Sequence, residues 1–232
     1  ANNISLYDST GNLYFQGSGT NEWVALKDIS QNVIDATIST EDKNFYKHFG
    51  FDFLRIIKAG YTNILAGKTK QGASTISQQY VKNLFLDFDK TWERKWNEMW
   101  LTLNVETHYS KEEILEGYLN TINYGHGMYG IANAADYYFN KKAKDLTLAE
   151  ASMLVGIPKS PANYSPLINY DLAKSRQSLI LKGMVKNNYI SEDEMNEAYQ
   201  EELTIIGKKA TINSDTILYF QDAVLTELNS IK

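Results

Sequence analysis

Three observations point to a mainly α-helical protein with short flanking strands. Four Ser/Thr-x-x-Glu/Gln boxes, at Thr75–Gln78, Ser110–Glu113, Thr147–Glu150 and Ser191–Glu194, have the spacing that satisfies the free N–H groups of a helix start from both ends. Trp92, Trp96, Met99, Trp100 and Leu103 recur at helical spacing over residues 91–109. Only residues 4–16 alternate like strands, with a turn signal at Asp8-Ser9-Thr10-Gly11.

Taken in order, residues 1–30 read as an N-terminal linker and strand segment. Val33, Ile34, Thr37 and Ile38 then fall at helical spacing, and that helix is expected to end around Ser39–Asp42. Residues 51–66 carry an apolar excess wider than one buried stripe, which suits either a helix buried on two sides or one that touches lipid. The aromatic seam of residues 91–109 is expected in the core, with Arg94, Lys95 and Glu98 off it. Helices follow over 113–119 and up to Val155, and the last long helix is expected to open at Ser191. Gly125, Gly127 and Gly130 punctuate a loop, and residues 157–166, with all three prolines, read as an extended crossing. One domain over 31–206 is expected, with 207–232 a C-terminal linker towards a further domain, including a strand or short helix at 216–228.

Composition narrows the function. At 232 residues, 43% hydrophobic and 12% aromatic, the chain can bury a sizeable core. A formal charge of −5 argues against a broad nucleic-acid surface, so any anion must meet a local cationic cluster. The absence of cysteine excludes disulfides and thiolate metal sites, and His48, His108 and His126 show no metal-ligand spacing. There is no apolar run long enough to span a bilayer and no Ser-x-x-Lys motif of a serine acyl-transfer enzyme.

Chemistry concentrates in three stretches. Gly72-Ala73-Ser74-Thr75 leads into a helix carrying Gln78, Gln79, Lys82 and Asn83, a glycine-to-helix turn of the kind that receives anions; Gln78 and Lys82, four apart, are expected on one face. Glu41 lies in a run dense with aromatics, where exclusion of water can bring a carboxylate into a catalytic range, although Ser39 with Asp42 could be no more than a weak cap. Glu98 follows Arg94 by four residues, either as part of a site or as an exposed pair worth roughly 0.3–0.5 kcal/mol.

The ordered run Glu41-Asp42-x-x-Phe45-x-x-His48-x-Gly50, Gly72-x-Ser74-Thr75-Ile76-x-Gln78-Gln79-x-x-Lys82-Asn83, Arg94-Lys95-x-x-Glu98 and Ile114-Leu115-Glu116-x-Tyr118-Leu119-Asn120 with Gly125, Gly127 and Gly130 resembles the motifs of the family 51 peptidoglycan glycosyltransferases. These are the polymerase domains of class A penicillin-binding proteins and of monofunctional transglycosylases. Leu148-Ala149-Glu150 and Pro158-Lys159-Ser160-Pro161 are similar to the family's remaining motif, and Ser77 stands where many members have Thr.

The resemblance implies a lysozyme-like, two-lobed fold, a head and a membrane-dipping jaw that would hold residues 51–66. It implies lipid II as acceptor and the growing glycan chain as donor, at the outer face of the bacterial cytoplasmic membrane, with moenomycin-type inhibitors as ligands. Glu41 matches the general base and Glu98 the second essential acid, which could orient Arg94 and Lys95, bind a divalent cation such as Mg2+ or Mn2+, or assist the leaving group. Asp42, Phe45, His48, Ser74, Thr75, Gln78, Gln79, Lys82, Asn83, Arg94 and Lys95 match its substrate-binding positions; no dedicated metal-ligand set and no organic cofactor are implied. Glu41 and Glu98 are expected to meet across one cleft with the cations between them. The rivals are a lytic transglycosylase, which has no use for a cationic pyrophosphate site, and an inactive module that binds lipid-linked precursors.

Overall fold

A computed structural model describes residues 5–7, 13–16, 22–53, 55–57, 74–84 and 92–207. Strands β1 (Ser5–Tyr7) and β2 (Leu13–Gln16) pair antiparallel, Ser5 opposite Gln16. Nine helices follow among the described residues: α1 (Gln31–Glu41), α2 (Ile76–Leu84), α3 (Trp92–His108), α4 (Lys111–Thr121), α5 (Ile131–Phe139), α6 (Leu148–Gly156), α7 (Pro161–Tyr164), α8 (Tyr170–Lys186) and α9 (Glu192–Gln200). The turn expected at residues 8–11, most of the apolar stretch 51–66, Gly72 and the expected element at 216–228 lie outside the described residues.

The helix α6 is the centre. Ala149 to Gly156 are all buried, so this helix is covered on every side, and α1 and α8 pack against it. α1 turns Val33, Ile34, Ala36 and Ile38 inward and brings Glu41, its last residue, to the edge of the core. Ser39 lies inside this helix and its hydroxyl accepts from Asn187 Nδ2 at 2.9 Å, so it ties α1 to the end of α8 and forms no cap with Asp42.

All four boxes form. Ser110, Thr147 and Ser191 each accept from the backbone N–H of the glutamate three residues on, and each glutamate returns the bond. Ahead of α2, the Gln78 amide oxygen accepts from the Thr75 N–H at 3.0 Å, and Thr75 Oγ1 accepts from the Gln78 N–H at 3.2 Å.

α4 explains two of its polar residues as a clamp. Glu116 accepts from the Trp23 indole and from the Leu26 N–H, both at 2.8 Å, while Asn120 exchanges two hydrogen bonds with the Val24 backbone. The incoming chain is thereby held along α4. Gly130 must be glycine for two reasons: its φ is +82°, and an added Cβ would meet the Asn120 carbonyl oxygen at 2.7 Å.

Three expectations are corrected. The described part of the aromatic seam of α3 is not core: Trp96 and Trp100 are 68% and 66% exposed, and Leu103 is exposed. α3 instead buries Thr102 and Glu106, four residues apart on one stripe, because their polar groups find partners there: Ser77 Oγ and Lys111 Nζ both donate to Glu106 Oε1, the latter at 2.7 Å. The proline-rich stretch is not extended; Ile157–Lys159 forms a 3-10 turn and Pro161–Tyr164 one helical turn, with prolines at the first positions where a missing N–H costs nothing. The helix after Ser191 has only nine residues, whereas the last long helix is α8, with seventeen, beyond the elements expected above, as is α5.

Candidate active site

Where the end of α1 faces α2 and α8, a cleft of about 570 Å3 opens. This is within the ordinary range for a ligand site. Its walls are Ser39, Thr40 and Glu41 from α1, Ser74, Gln79 and Lys82 from the start and body of α2, and Pro158, Lys159, Arg176, Leu179, Ile180 and Gly183 from the 3-10 turn and α8, with Arg55 between.

Four cations, Arg55, Lys82, Lys159 and Arg176, surround a single carboxylate, that of Glu41, a formal charge of +3 among the described lining residues. Among the described polar groups, Arg55 is the cation engaged by protein oxygens: its Nη1 donates to the Glu41 carbonyl oxygen and lies 3.8 Å from Asp42 Oδ1, whereas Arg176 has the Tyr164 ring centre 5.9 Å from its Cζ. No described carboxylate lies within ion-pairing distance of Lys82, Lys159 or Arg176, and Arg176 Nε is buried without a hydrogen-bond partner. Arg176 reaches the cleft because residue 156 is glycine; a Cβ there would meet the Arg176 stem at 2.9 Å.

Glu41 stands at the C-terminal end of α1, an unfavourable place for an anion beside a negative dipole end. What holds it is Gln79, whose Nε2 donates to Glu41 Oε2 at 2.9 Å. Gln79 in turn accepts from the Tyr118 hydroxyl at 3.3 Å. α2 and α4 approach closely enough for this because the Tyr80 ring occupies the space where a side chain at Gly117 would stand.

Several residues expected to touch substrate are instead walls and supports. Asp42 is fully buried, accepts from the Ile76 N–H at 3.1 Å and sits 2.9 Å from His48 Nε2, so it pins the start of α2 to the end of α1. Phe45 is core, with the Lys111 ammonium 4.6 Å from its ring centre. Thr75 is buried and donates to the Gly50 carbonyl at 2.7 Å; Gln78 is buried and its amide turns back to cap α2, so it does not join Lys82 among the described cleft-lining residues. Asn83 is half-buried and not among the described cleft-lining residues. Ser74, Gln79 and Lys82 do line the cleft.

The second motif is placed differently. Glu98 Oε1 accepts from Lys95 Nζ at 2.6 Å, and neither residue is among the described ones that line the cleft around Glu41. Of Arg94 only the backbone, in α3, is described. The expected pairing of Glu41 and Glu98 across this cleft is therefore absent among the described lining residues, and the cations supplied from the other side are Lys159 and Arg176. Lys159 stood within a quoted motif, but nothing in the sequence marked Arg176. Among the described residues no three His, Asp or Glu side chains come together to hold a metal.

Comparison with known proteins bears on this geometry. A family model described as transglycosylase matches residues 10–185. The chain is similar to penicillin-binding protein 2D of Bacillus subtilis, 48% identical over 206 residues, covering 89% of this chain and 30% of that protein. It is also similar to penicillin-binding protein 1A of Neisseria gonorrhoeae, 41% identical over 201 residues, covering 86% of this chain and 25% of that protein. A crystal structure of penicillin-binding protein 1A from Haemophilus influenzae matches the fold with a TM-score of 0.52 and 25% identity, over 97% of this chain and 24% of that one. The chain thus spans between a quarter and a third of the length of these curated relatives.

Proposed function

The chain belongs to the transglycosylase family, and from that premise we propose that it is a peptidoglycan glycosyltransferase that polymerises lipid II with inversion at C1 and release of polyprenyl pyrophosphate. The observation that carries the proposal is that, among the described lining residues, the Glu41 carboxylate stands with four cations in one cleft. A sugar hydroxyl is a weak nucleophile at neutral pH, so it needs a carboxylate base within hydrogen-bond reach. Glu41 takes the proton of the acceptor 4-hydroxyl as that oxygen bonds to C1 of the donor sugar. The bond from C1 to the phosphate oxygen breaks on the opposite face, and its electron pair leaves with the pyrophosphate.

Charge therefore grows on the leaving group, and preorganised cations are worth most there. Lys82, Lys159 and Arg176 suit that role because their charges are not spent on carboxylates of the described residues. The described residues do not form a cage for Mg2+ or Mn2+, whose place would be on the pyrophosphate oxygens. Glu98 fits the orienting role best, since it already holds Lys95.

A lipid-linked substrate requires access to a membrane surface. Among the described residues no helix is long and apolar enough to cross a membrane. The exposed Phe53, Ile56 and Ile57, together with Trp96 and Trp100 on α3, supply apolar and amphipathic rings of the kind that settle at an interface. This supports docking on the outer face of the cytoplasmic membrane, and a phosphoglycolipid of the moenomycin type would occupy the same cationic cleft.

Incubation of the protein with lipid II tests the reading. Glycan polymer and free polyprenyl pyrophosphate are expected; cutting of finished glycan without polymer would favour the lytic alternative, which the cationic cleft disfavours.

A further inference from the structure

We propose that Tyr118 is a positioning residue for the Glu41 carboxylate and acts through the side-chain amide of Gln79. The inference rests on the proposed role of Glu41 and goes beyond it, since Tyr118 touches neither the carboxylate nor the cleft.

Three groups stand in a row: the Tyr118 hydroxyl donates to Gln79 Oε1 at 3.3 Å, and Gln79 Nε2 donates to Glu41 Oε2 at 2.9 Å. An amide has distinguishable ends, one that only accepts and one that only donates. If the Gln79 amide turned over, its oxygen would face a carboxylate oxygen and the bond that holds Glu41 would become a repulsion. The Tyr118 hydroxyl favours the productive orientation because it offers a proton to Oε1. Burial, and next the Glu41 charge, raise this phenol well above its usual range, so it keeps that proton at neutral pH. Tyr118 is itself fully buried in α4, where close packing restricts its ring.

The consequence for the reaction concerns which oxygen works. Gln79 engages Oε2, and Oε1 is left as the oxygen to accept the proton of the attacking hydroxyl. Fixing one oxygen fixes the other, and a base held in one orientation spends less of its time turned away from the substrate. Loss of the Tyr118 hydroxyl leaves Gln79 free to turn, which costs catalysis without removing any group that binds substrate. A hydrogen bond of ordinary net worth corresponds to a loss of roughly three- to tenfold in kcat.

A double-mutant cycle on the full chain, with lipid II polymerisation as the assay, tests this. Tyr118→Phe is expected to lower kcat roughly three- to tenfold with KM unchanged. Gln79→Met is expected to lower it at least as far, and adding Tyr118→Phe to Gln79→Met should then change nothing further. Unchanged kcat in Tyr118→Phe, a rise in KM alone, or independent multiplication of the two losses would overturn the proposal. Should Tyr118→Phe fail to fold, Gln79→Asn gives a second reading, because its shorter amide cannot bridge both partners; kcat at the unsubstituted level would sink the idea. Glu41→Gln, run alongside, separates the failures. Activity in that variant removes the base assignment itself, whereas its inactivity together with an additive cycle removes only the role of Tyr118.

Discussion

The Gln79 amide meets the Glu41 carboxylate at 2.9 Å across thirty-eight positions of chain. This one contact joins the end of α1 to the body of α2 and sets a carboxylate where a helix dipole alone would disfavour it. Around it lie the cations on which the proposed chemistry depends.

Lys82 is exposed in the cleft and free of carboxylate partners among the described residues. Lys82→Ala should therefore reduce use of the pyrophosphate donor by roughly tenfold or more, as expected for loss of a charge-assisted contact, with little change in melting temperature. Steady-state polymerisation beside a thermal melt checks this; a variant that unfolds would return Lys82 to structure.

Two lysine–glutamate pairs should behave oppositely. Lys111 donates at 2.7 Å to Glu106, whose side chain is only 2% exposed, so Lys111→Met strands a buried carboxylate at a cost of about 3–5 kcal/mol. Lys95 is half exposed against Glu98, and Lys95→Ala should cost less than about 1 kcal/mol. Urea unfolding of the two variants compares them directly.

At Gly130, a left-handed φ and the Asn120 carbonyl both exclude a side chain. Gly130→Ala should destabilise by about 1–3 kcal/mol, read from the shift of the denaturation midpoint.

The capping-box glutamates give a pH dependence. Backbone N–H bonds from Ser110 and Ser191, and then their hydroxyls, hold Glu113 and Glu194 below the ordinary value of 4.5. A carboxylate depressed in the folded state stabilises fully above its unfolded value, and that contribution is lost as pH falls through the lower folded one. Melting temperature should therefore fall as pH drops below about 4.5, and the fall should be shallower in a Glu113→Gln, Glu194→Gln double variant, as a series of thermal melts would register.

Local signals were the legible part of this molecule. Capping boxes and helical spacing fixed α1, α4 and α6, because those patterns act within one or two turns. The seam of α3 misled because period alone does not say which side faces inward; Glu106 is buried because Ser77, twenty-nine positions earlier, and Lys111, in the next helix, satisfy it, while the Thr102 hydroxyl donates to the Glu98 carbonyl of its own helix. α8 hides its stripe behind a buried Gln177, which bonds the Ala149 carbonyl at 2.8 Å. At the cleft, Glu41, Ser74, Gln79 and Lys82 were readable as residues, but Arg176 was not, since only the packing of its stem against Gly156 carries it there. Asp42, Phe45, Thr75 and Gln78 carry motif identities whose work is to hold the walls.

The central claim is that Glu41 removes the acceptor proton. The most direct measurement is the rate of lipid II polymerisation by Glu41→Gln beside its melting temperature: the amide keeps the shape but cannot accept the proton, so polymer should disappear while the melt is unchanged. Polymerisation at the unsubstituted rate would contradict the account.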